Sequence, residues 1–172
     1  MAPNPLSLLP NLRLALLASI VSLGAAFASQ FLGGLTPCHL CVAQRVPYVV
    51  VIVLALLGLL RKRGLKGLTL LVVLAFLTGS GIAAYHAGVE KHWIAGPSSC
   101  TSGEAPAGQS MDDFLKRIQS APIVACDQPQ WEFHGLTMAS MNMAWSFLLA
   151  AASFVALHQS RGRKPVGEGQ HA

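Results

Sequence analysis

Four long apolar tracts constrain this chain more than any other feature of its sequence. They occupy residues 14–38, 37–60, 67–89 and 133–160. The second contains Gln44 and Arg45, and the others contain no Asp, Glu, Lys or Arg. About 20 helical residues, at 1.5 Å each, cross the hydrocarbon core of a bilayer, whereas strands are usually much shorter. The sequence therefore predicts a single all-α domain, an integral membrane four-helix bundle. Its spans are expected at roughly 14–35, 40–60, 67–89 and 136–159.

The composition agrees with a lipid-embedded protein. Only 11% of the residues are charged, against roughly 25% in soluble domains, and 53% are hydrophobic. Lys and Arg number 12 and Asp and Glu number 7, but these charges form small islands between the tracts. The basic balance is explained by the ends of the spans, so we expect contact with membrane lipid and no nucleic-acid partner.

The positive charges also predict the orientation. Basic residues cluster at 61–66, between the second and third tracts, and at 161–164, after the fourth. In the long segment at roughly 90–135, most of the charged residues are instead acidic. Because short cytoplasmic loops carry excess Lys and Arg, we expect both termini in the cytoplasm and the 90–135 loop outside. A cleaved signal peptide ending near Ala28 is the competing interpretation, but the charge-free run continues well past this residue.

The outward loop contains one periodic segment. Apolar residues occur at the i, i+3, i+4 and i+7 positions Met111, Phe114, Leu115 and Ile118. This spacing predicts a short amphipathic helix. It lies either on the membrane surface or against the rest of the outward loop, and the pattern does not distinguish the two.

All four cysteines fall on the predicted outward side. Cys38 and Cys41 form a C-x-x-C motif at the start of the second span, after Pro37. A helix N-terminus stabilises thiolate, the form that attacks disulfides, and so small a disulfide ring would constrain the fold very little. Redox chemistry is therefore favoured for this pair. A zinc site is disfavoured because no second C-x-x-C is present, and we expect no metal.

The other two cysteines are less informative by themselves. Cys100 and Cys126 lie far apart in the outward loop. A bridge between them would restrain the loop by roughly 3 to 4 kcal/mol in the chain-entropy model. From the residues alone, a structural disulfide and a redox-active one are equally reasonable.

Two further residues are candidates for the same site. Arg45 follows Cys41 by four residues, one helical turn deeper on the same face. It either extends to the interface or acts beside a thiolate and an anionic electron acceptor. His86 ends the third span at the same level, where it could serve as an ordinary interfacial residue or hydrogen-bond an acceptor carbonyl.

Together these motifs resemble the DsbB family of the bacterial inner membrane, whose members reoxidise the periplasmic thiol oxidase DsbA and reduce quinone. The resemblance covers nearly the whole chain. The matching features are the run PCHLCVAQR at 37–45, Tyr85-His86 with Gly88, Gly96-Pro97 before Cys100, and Cys126-Asp127 followed by Trp131, Phe133 and Gly135-Leu136.

The resemblance implies a role for each site residue. Cys100 would be attacked by the partner's thiolate, and Cys126 would then attack the Cys38–Cys41 disulfide at Cys38. Cys41, left as thiolate, would face ubiquinone or menaquinone and form the family's charge-transfer adduct. Arg45 would hold the quinone head group, with His86 as a helper. The loop at 90–135 would then be periplasmic, and the activity that of a thiol:quinone oxidoreductase.

Three alternatives remain at this stage. One is a dedicated paralogue that serves a specialised oxidase, since the segment between Cys100 and Cys126 varies in the family. The second is a reductase of the vitamin K epoxide reductase type, in which the C-x-x-C is expected late in the bundle and not at the second span. The third is a membrane assembly factor with structural disulfides only, in which Arg45 would be replaceable.

Overall fold

The computed structural model describes residues 5–97 and 124–160, and 74% of the structure is helical. In chain order the elements are a 3-10 turn (Pro5–Leu8), α1 (Leu9–Phe31), α2 (His39–Ala43), α3 (Val46–Arg61), α4 (Leu65–Glu90), β1 (Glu132–Phe133), β2 (Leu136–Thr137) and α5 (Met138–Gln159). The two short strands pair antiparallel. The predicted all-α class is thus confirmed, with one small hairpin added to it.

Four helical segments are long and apolar enough to cross a membrane. They are Leu6–Phe31, His39–Arg61, Leu65–Glu90 and Met138–Gln159. Large apolar side chains on these segments point away from the protein, among them Val21 at 68% exposure and Leu60 at 79%. A soluble protein rarely exposes so much continuous apolar surface, whereas lipid solvates it favourably. The chain is therefore a multi-pass membrane protein.

The first helical segment begins well before the charge-free tract. Leu8 and Leu12 are fully buried, whereas Arg13 is exposed. Because Arg13 sits on the outer face of α1, its charge does not interrupt the apolar face that packs on the bundle. One basic residue near a helix end can reach the interface through its long side chain.

The second span is two helices rather than one. α2 ends at Ala43, and α3 begins at Val46 after a turn in which the Arg45 amide bonds to the Val42 carbonyl. Pro47 is the cause, because it has no amide hydrogen to continue the helix of α2 and its ring is tolerated only in the first turn of a new helix.

The bundle is held together along α4, which packs most extensively on α5 and also on α3, while α3 packs on α1. The shared core is apolar: it comprises Leu8, Leu12, Ala15, Tyr48, Val51, Leu65, Val72, Phe76, Leu149, Ala150 and Leu157. A tight turn joins α3 to α4, with Lys62 at φ 51° and Gly64 at φ 64°. Its basic residues therefore lie at the opposite end of the bundle from Cys38.

The long loop that precedes α5 ends in the hairpin formed by β1 and β2. Its central residues, His134 and Gly135, both have positive φ (51° and 79°), as a two-residue turn of type I′ requires. Thr137 then caps α5 by accepting a hydrogen bond from the Ser140 amide. The predicted amphipathic helix at 111–118 and Cys100 lie outside the described residues.

Candidate redox site

The two thiols of the C-x-x-C motif lie at the N-terminus of α2. Cys38 is its N-cap residue, and its sulfur accepts a hydrogen bond from the Cys41 amide at 3.3 Å. The Cys38 and Cys41 sulfurs are 3.0 Å apart, and both are free thiols. Cys38 is only 3% exposed. Small movements of the side chains would therefore bring the two sulfurs into bonding distance.

The surroundings of Cys38 favour its thiolate. The hydrogen bond with the Cys41 thiol is the main cause, and a hydrogen bond with His86 adds to it, so the pKa of Cys38 is lowered to about 4 although burial opposes this. Hydrogen bonds to the charged form of an acid stabilise that form. Thiolate is the form that attacks a disulfide, so these contacts favour reactivity at Cys38.

His86 of α4 stands directly against this pair. Its Nε2 lies 3.5 Å from the Cys38 sulfur and 3.6 Å from a carboxylate oxygen of Glu90. Its Nδ1 lies 2.6 Å from the side-chain nitrogen of Gln44. Because an amide NH₂ can only donate, Nδ1 accepts and Nε2 carries the hydrogen. With the Gln44 amide in this orientation, the Nε2–H of His86 is directed at the Cys38 sulfur.

A chain of polar side chains extends from His86 into the bundle. The Gln44 oxygen accepts a hydrogen bond from Asn142 of α5 at 2.6 Å. The Asn142 oxygen accepts one from the Tyr48 hydroxyl, also at 2.6 Å, and Tyr48 lies 2.8 Å from the Ser146 hydroxyl. Every member therefore has a partner. The chain links α3, α4 and α5 and fixes the orientation of Gln44.

Arg45 turns toward α1. Its guanidinium donates to the Gln30 side-chain oxygen at 2.8 Å and to the Ala26 carbonyl at 3.4 Å. It also lies over the Phe27 ring, 4.8 Å from its centre. Arg45 does not continue the helix of Cys41, because α2 has ended before it. Both residues nevertheless line one cavity.

Cys126 lies beside the thiol pair. It is fully buried and disulfide-bonded, and it shares a buried cluster with Cys38 and Val89. The backbone of Cys126 also hydrogen-bonds to His86. The structure thus brings together five of the six predicted site residues: Cys38, Cys41, Arg45, His86 and Cys126. The sixth, Cys100, lies outside the described residues.

The cavity at this end of the bundle has a volume of about 530 Å³. Its walls are largely apolar and include Leu23 and Ala26 of α1 and Met138 and Met141 of α5, while Cys41, Arg45 and His86 are among the residues that supply polar groups. Trp131, after Cys126, also lines it. Cavities of this size, mostly apolar with a few placed polar groups, are typical of sites for small organic ligands.

The same residues offer three possible metal ligands. The sulfurs of Cys38 and Cys41 and a ring nitrogen of His86 all lie within 4.8 Å of one another. Structural zinc sites use four such ligands, and this cluster supplies three. The absence of a metal, expected from the sequence, stays a prediction.

Sequence reasoning missed several residues that shape the site. Gln30 and Phe27 position Arg45, Asn142 and Tyr48 position Gln44, and Glu90 contacts His86. The signal that points to Gln30, Gln44 and Asn142 is a polar side chain within an apolar tract, which is costly in a membrane unless it has a partner.

The fold and this site define a class: a four-span membrane protein with a thiol pair beside a largely apolar cavity. The sequence profile of the family described as Disulfide bond formation protein DsbB matches residues 11–156. The chain therefore belongs to the DsbB family, and this membership implies an oxidase function in disulfide bond formation.

Relatives match over most of their length. Disulfide bond formation protein B of Xanthomonas campestris pv. campestris (strain 8004) is 34% identical over 154 residues, covering 87% of this chain and 90% of the relative. Its namesake in Xylella fastidiosa (strain Temecula1) is 31% identical over 149 residues, 84% and 86% of the two chains. An uncharacterised protein of Rickettsia prowazekii is 29% identical over 132 residues, 76% and 77% of the two chains. No solved structure matches the chain.

Proposed function

We propose that this protein reoxidises a DsbA-type periplasmic thiol oxidase by disulfide exchange and passes the two electrons to a membrane quinone, ubiquinone or menaquinone. The observation that carries the proposal is the placement of the Cys38–Cys41 pair. It lies between buried Cys126 on one side and a largely apolar cavity on the other. A soluble partner cannot enter lipid and a quinone does not leave it, so the reaction needs thiols that reach both.

Disulfide exchange has a direction in this proposal. The reduced partner attacks Cys100, and the thiolate of Cys126 so released attacks Cys38 and opens the Cys38–Cys41 bond. The burial of Cys126 in one cluster with Cys38 supports this second step. Each exchange conserves the number of disulfides, so the electrons move inward through the protein without a free oxidant.

The cavity fits a quinone ring. Its walls are largely apolar, as a hydrophobic ring requires, and Arg45 offers hydrogen-bond donors to carbonyl oxygens. His86 lines the same cavity, with its Nε2 directed at the Cys38 sulfur. The quinone, as substrate, accepts two electrons and two protons. Gln30 and Phe27 hold Arg45 in place, and its guanidinium orients the quinone ring and stabilises negative charge on the ring oxygens. Cys41 is the sulfur that faces the quinone in this proposal.

The proposed topology places this end of the bundle in the periplasm. The turn with Arg61, Lys62 and Arg63 is at the opposite end, and an excess of basic residues favours the cytoplasmic side. Both termini are then cytoplasmic, in a bacterial inner membrane.

The test is quinone reduction by the purified protein in detergent, with a reduced DsbA-type partner and a ubiquinone or menaquinone analogue. We expect turnover to fall to background in Cys41→Ser and in Cys100→Ser. Arg45→Ala should raise the KM for quinone about tenfold, and Gln30→Ala, which only frees Arg45, should raise it less. Full turnover in Cys100→Ser would contradict the two-pair relay, and no turnover with either quinone would contradict the proposed acceptor.

A further inference from the structure

The thiol pair of the reduced site faces two side chains of α4 that can bind a metal ion. Cys38, Cys41, His86 and Glu90 all line the cavity at this end of the bundle. The two sulfurs and a ring nitrogen of His86 lie within 4.8 Å of one another. Glu90 follows His86 by one helical turn, with a carboxylate oxygen 3.6 Å from His86 Nε2. Two sulfurs, one nitrogen and one oxygen therefore lie close together, and these are the atoms that bind zinc in proteins.

The distances between these atoms are close to those of a tetrahedral zinc site. The bond lengths of zinc place a sulfur about 3.6 Å from a nitrogen, a nitrogen about 3.4 Å from an oxygen, and two sulfurs about 3.8 Å apart. The Cys38–His86 distance is 3.5 Å and the His86–Glu90 distance is 3.6 Å. The two sulfurs are 3.0 Å apart. Rotations of the Cys41 and Glu90 side chains are therefore the main change that zinc binding requires.

The carboxylate of Glu90 supplies an observation that is independent of the thiols. Its side chain is only 6% exposed, and its second oxygen is buried without a hydrogen-bond partner among the described residues. The ammonium of the next residue, Lys91, lies over the Trp93 ring instead. A buried acceptor without a partner is costly, and coordination of a cation removes that cost.

The hydrogen-bond chain behind His86 can adapt to a metal. Zinc needs the free electron pair of Nε2, so the ring hydrogen must lie on Nδ1. If the Gln44 and Asn142 amides both turn over, the Gln44 oxygen accepts from Nδ1 and the Gln44 nitrogen donates to Asn142. The Asn142 nitrogen then donates to the Tyr48 hydroxyl, which donates to Ser146. Every group keeps a partner, and a carbonyl that accepts from the second ring nitrogen is the usual support of a metal-bound histidine.

The cavity also gives a hydrated ion a route to these ligands. Gln128 and Gln130 of the long loop line it together with the four ligands, so it extends from the spans to residues outside them. The sequence disfavours zinc because it contains no second C-x-x-C motif. In the structure the remaining ligands come instead from α4, where His86 lies 48 residues from Cys38.

We propose that the reduced site binds Zn²⁺ through Cys38, Cys41, His86 and Glu90, and that this binding inhibits the protein. The binding rests on the geometry alone, whereas the inhibition rests on the proposed function. Two Zn–S bonds form as the two thiols release their hydrogens to water as protons, and no electron moves. While Zn²⁺ is bound, Cys38 and Cys41 cannot form their disulfide, so the quinone receives no electrons. The disulfide form offers no thiolate to the ion, so Zn²⁺ is a reversible inhibitor of the reduced state and not a resident cofactor.

The first test needs no quinone and uses Co²⁺ as a coloured substitute for Zn²⁺. The full-length protein in detergent carries Cys100→Ala and Cys126→Ala, so that only the first thiol pair can bind. We expect the reduced protein to show sulfur-to-cobalt charge-transfer absorption and the strong visible bands of a tetrahedral site, both removed by Zn²⁺. The oxidised protein should show neither. Absence of these bands from the reduced protein would overturn the proposal.

Variants of the same protein test the two ligands from α4. Glu90→Gln and His86→Ala should each weaken Co²⁺ binding at least tenfold, because even the outer partners of metal ligands contribute about that much. The matched control is Glu132→Gln, an exposed glutamate of β1, which should bind as before. Helical circular dichroism checks that each variant is folded. Equal affinity in Glu90→Gln and Glu132→Gln would show a simple dithiol site and overturn the proposed ligand set.

The last test measures inhibition during quinone reduction with the reduced DsbA-type partner. Free Zn²⁺ at a saturating concentration should stop turnover of the wild-type protein, and a chelator should restore it. Relative to its own uninhibited rate, Glu90→Gln should need at least about tenfold more Zn²⁺ for the same inhibition. Equal sensitivity of the two proteins would place the inhibition on the partner's thiols and overturn the inhibitory role. If Co²⁺ binds as expected but no quinone is reduced even without Zn²⁺, the proposed function fails while the metal site stands.

Discussion

The two halves of the bundle differ in what they bury. The half that contains the α3–α4 turn buries leucine, valine and phenylalanine side chains such as Leu12, Leu65 and Phe76. The half that contains the thiols buries Gln44 and His86, which bond to each other. Apolar packing suffices to hold helices together, whereas polar groups within a span are costly and need partners. We infer that one half stabilises the fold and the other carries the chemistry, and each prediction below tests that division.

The largest effect is expected for Phe76→Ala. Phe76 is 1% exposed and packs edge-on against Tyr48, with ring centres 6.1 Å apart. Its truncation leaves a cavity in the core, so we expect the free energy of unfolding to fall by about 3 kcal/mol. The measurement is unfolding by a denaturing detergent, followed by helical circular dichroism.

The matched control is Phe147→Ala. Phe147 is 57% exposed on α5, on the surface that lipid or detergent covers. Its truncation removes little packing within the protein, so the free energy of unfolding should change by less than about 1 kcal/mol. Equal destabilisation by the two substitutions would show that Phe76 is not part of a stabilising core.

A smaller effect, on activity instead of stability, is expected for Gln44→Leu. The substitution removes the donor to His86 and the acceptor for Asn142, so His86 loses its fixed orientation. We expect quinone reduction to fall about tenfold. The free energy of unfolding should change by about 1 kcal/mol or less, since single hydrogen bonds between membrane helices contribute little.

Thr69→Val is the comparison from the other half. Thr69 is fully buried on α4, and its hydroxyl has no hydrogen-bond partner among the described residues. Replacing it by an apolar side chain of similar shape should leave turnover unchanged. The free energy of unfolding should stay the same or rise slightly. A tenfold loss of turnover here as well would mean that the chemistry is not confined to the thiol half.

The sequence predicted the apolar half better than the polar one. The prediction of four spans follows from the length of the apolar tracts, which is a local property of the sequence. The structure has four helical segments long and apolar enough to cross a membrane, in agreement with that prediction. The C-x-x-C motif and Arg45 are local signals too. Arg45 lies in the turn between α2 and α3 and bonds to Gln30 of α1, a tertiary contact that helical spacing from Cys41 alone does not predict.

The contacts of Glu90 and Gln44 were harder to predict. Gln44 lies 42 residues from His86 and 98 from Asn142, and only the packing of α3, α4 and α5 brings them together. Glu90 precedes a run of exposed residues, yet its side chain is buried beside His86. Family resemblance supplies roles for cysteines, but it does not supply the contacts of these buried polar side chains.

The smallest effect is expected in the titration of Cys38, which tests how finely the polar half is tuned. The pKa of Cys38 is about 4 because the Cys41 thiol and His86 both stabilise the thiolate. In the reduced protein, thiolate absorbance in the ultraviolet should therefore persist from alkaline pH downward and be lost only as pH falls through about 4. An ordinary cysteine, with a pKa near 8.5, loses it well above neutrality. Cys41→Ala should raise the pKa of Cys38 most, because that hydrogen bond is the main cause, and His86→Ala should raise it less. A titration of Cys38 near 8.5 in the wild type, or a larger shift in His86→Ala than in Cys41→Ala, would contradict this account of how the site stabilises its thiolate.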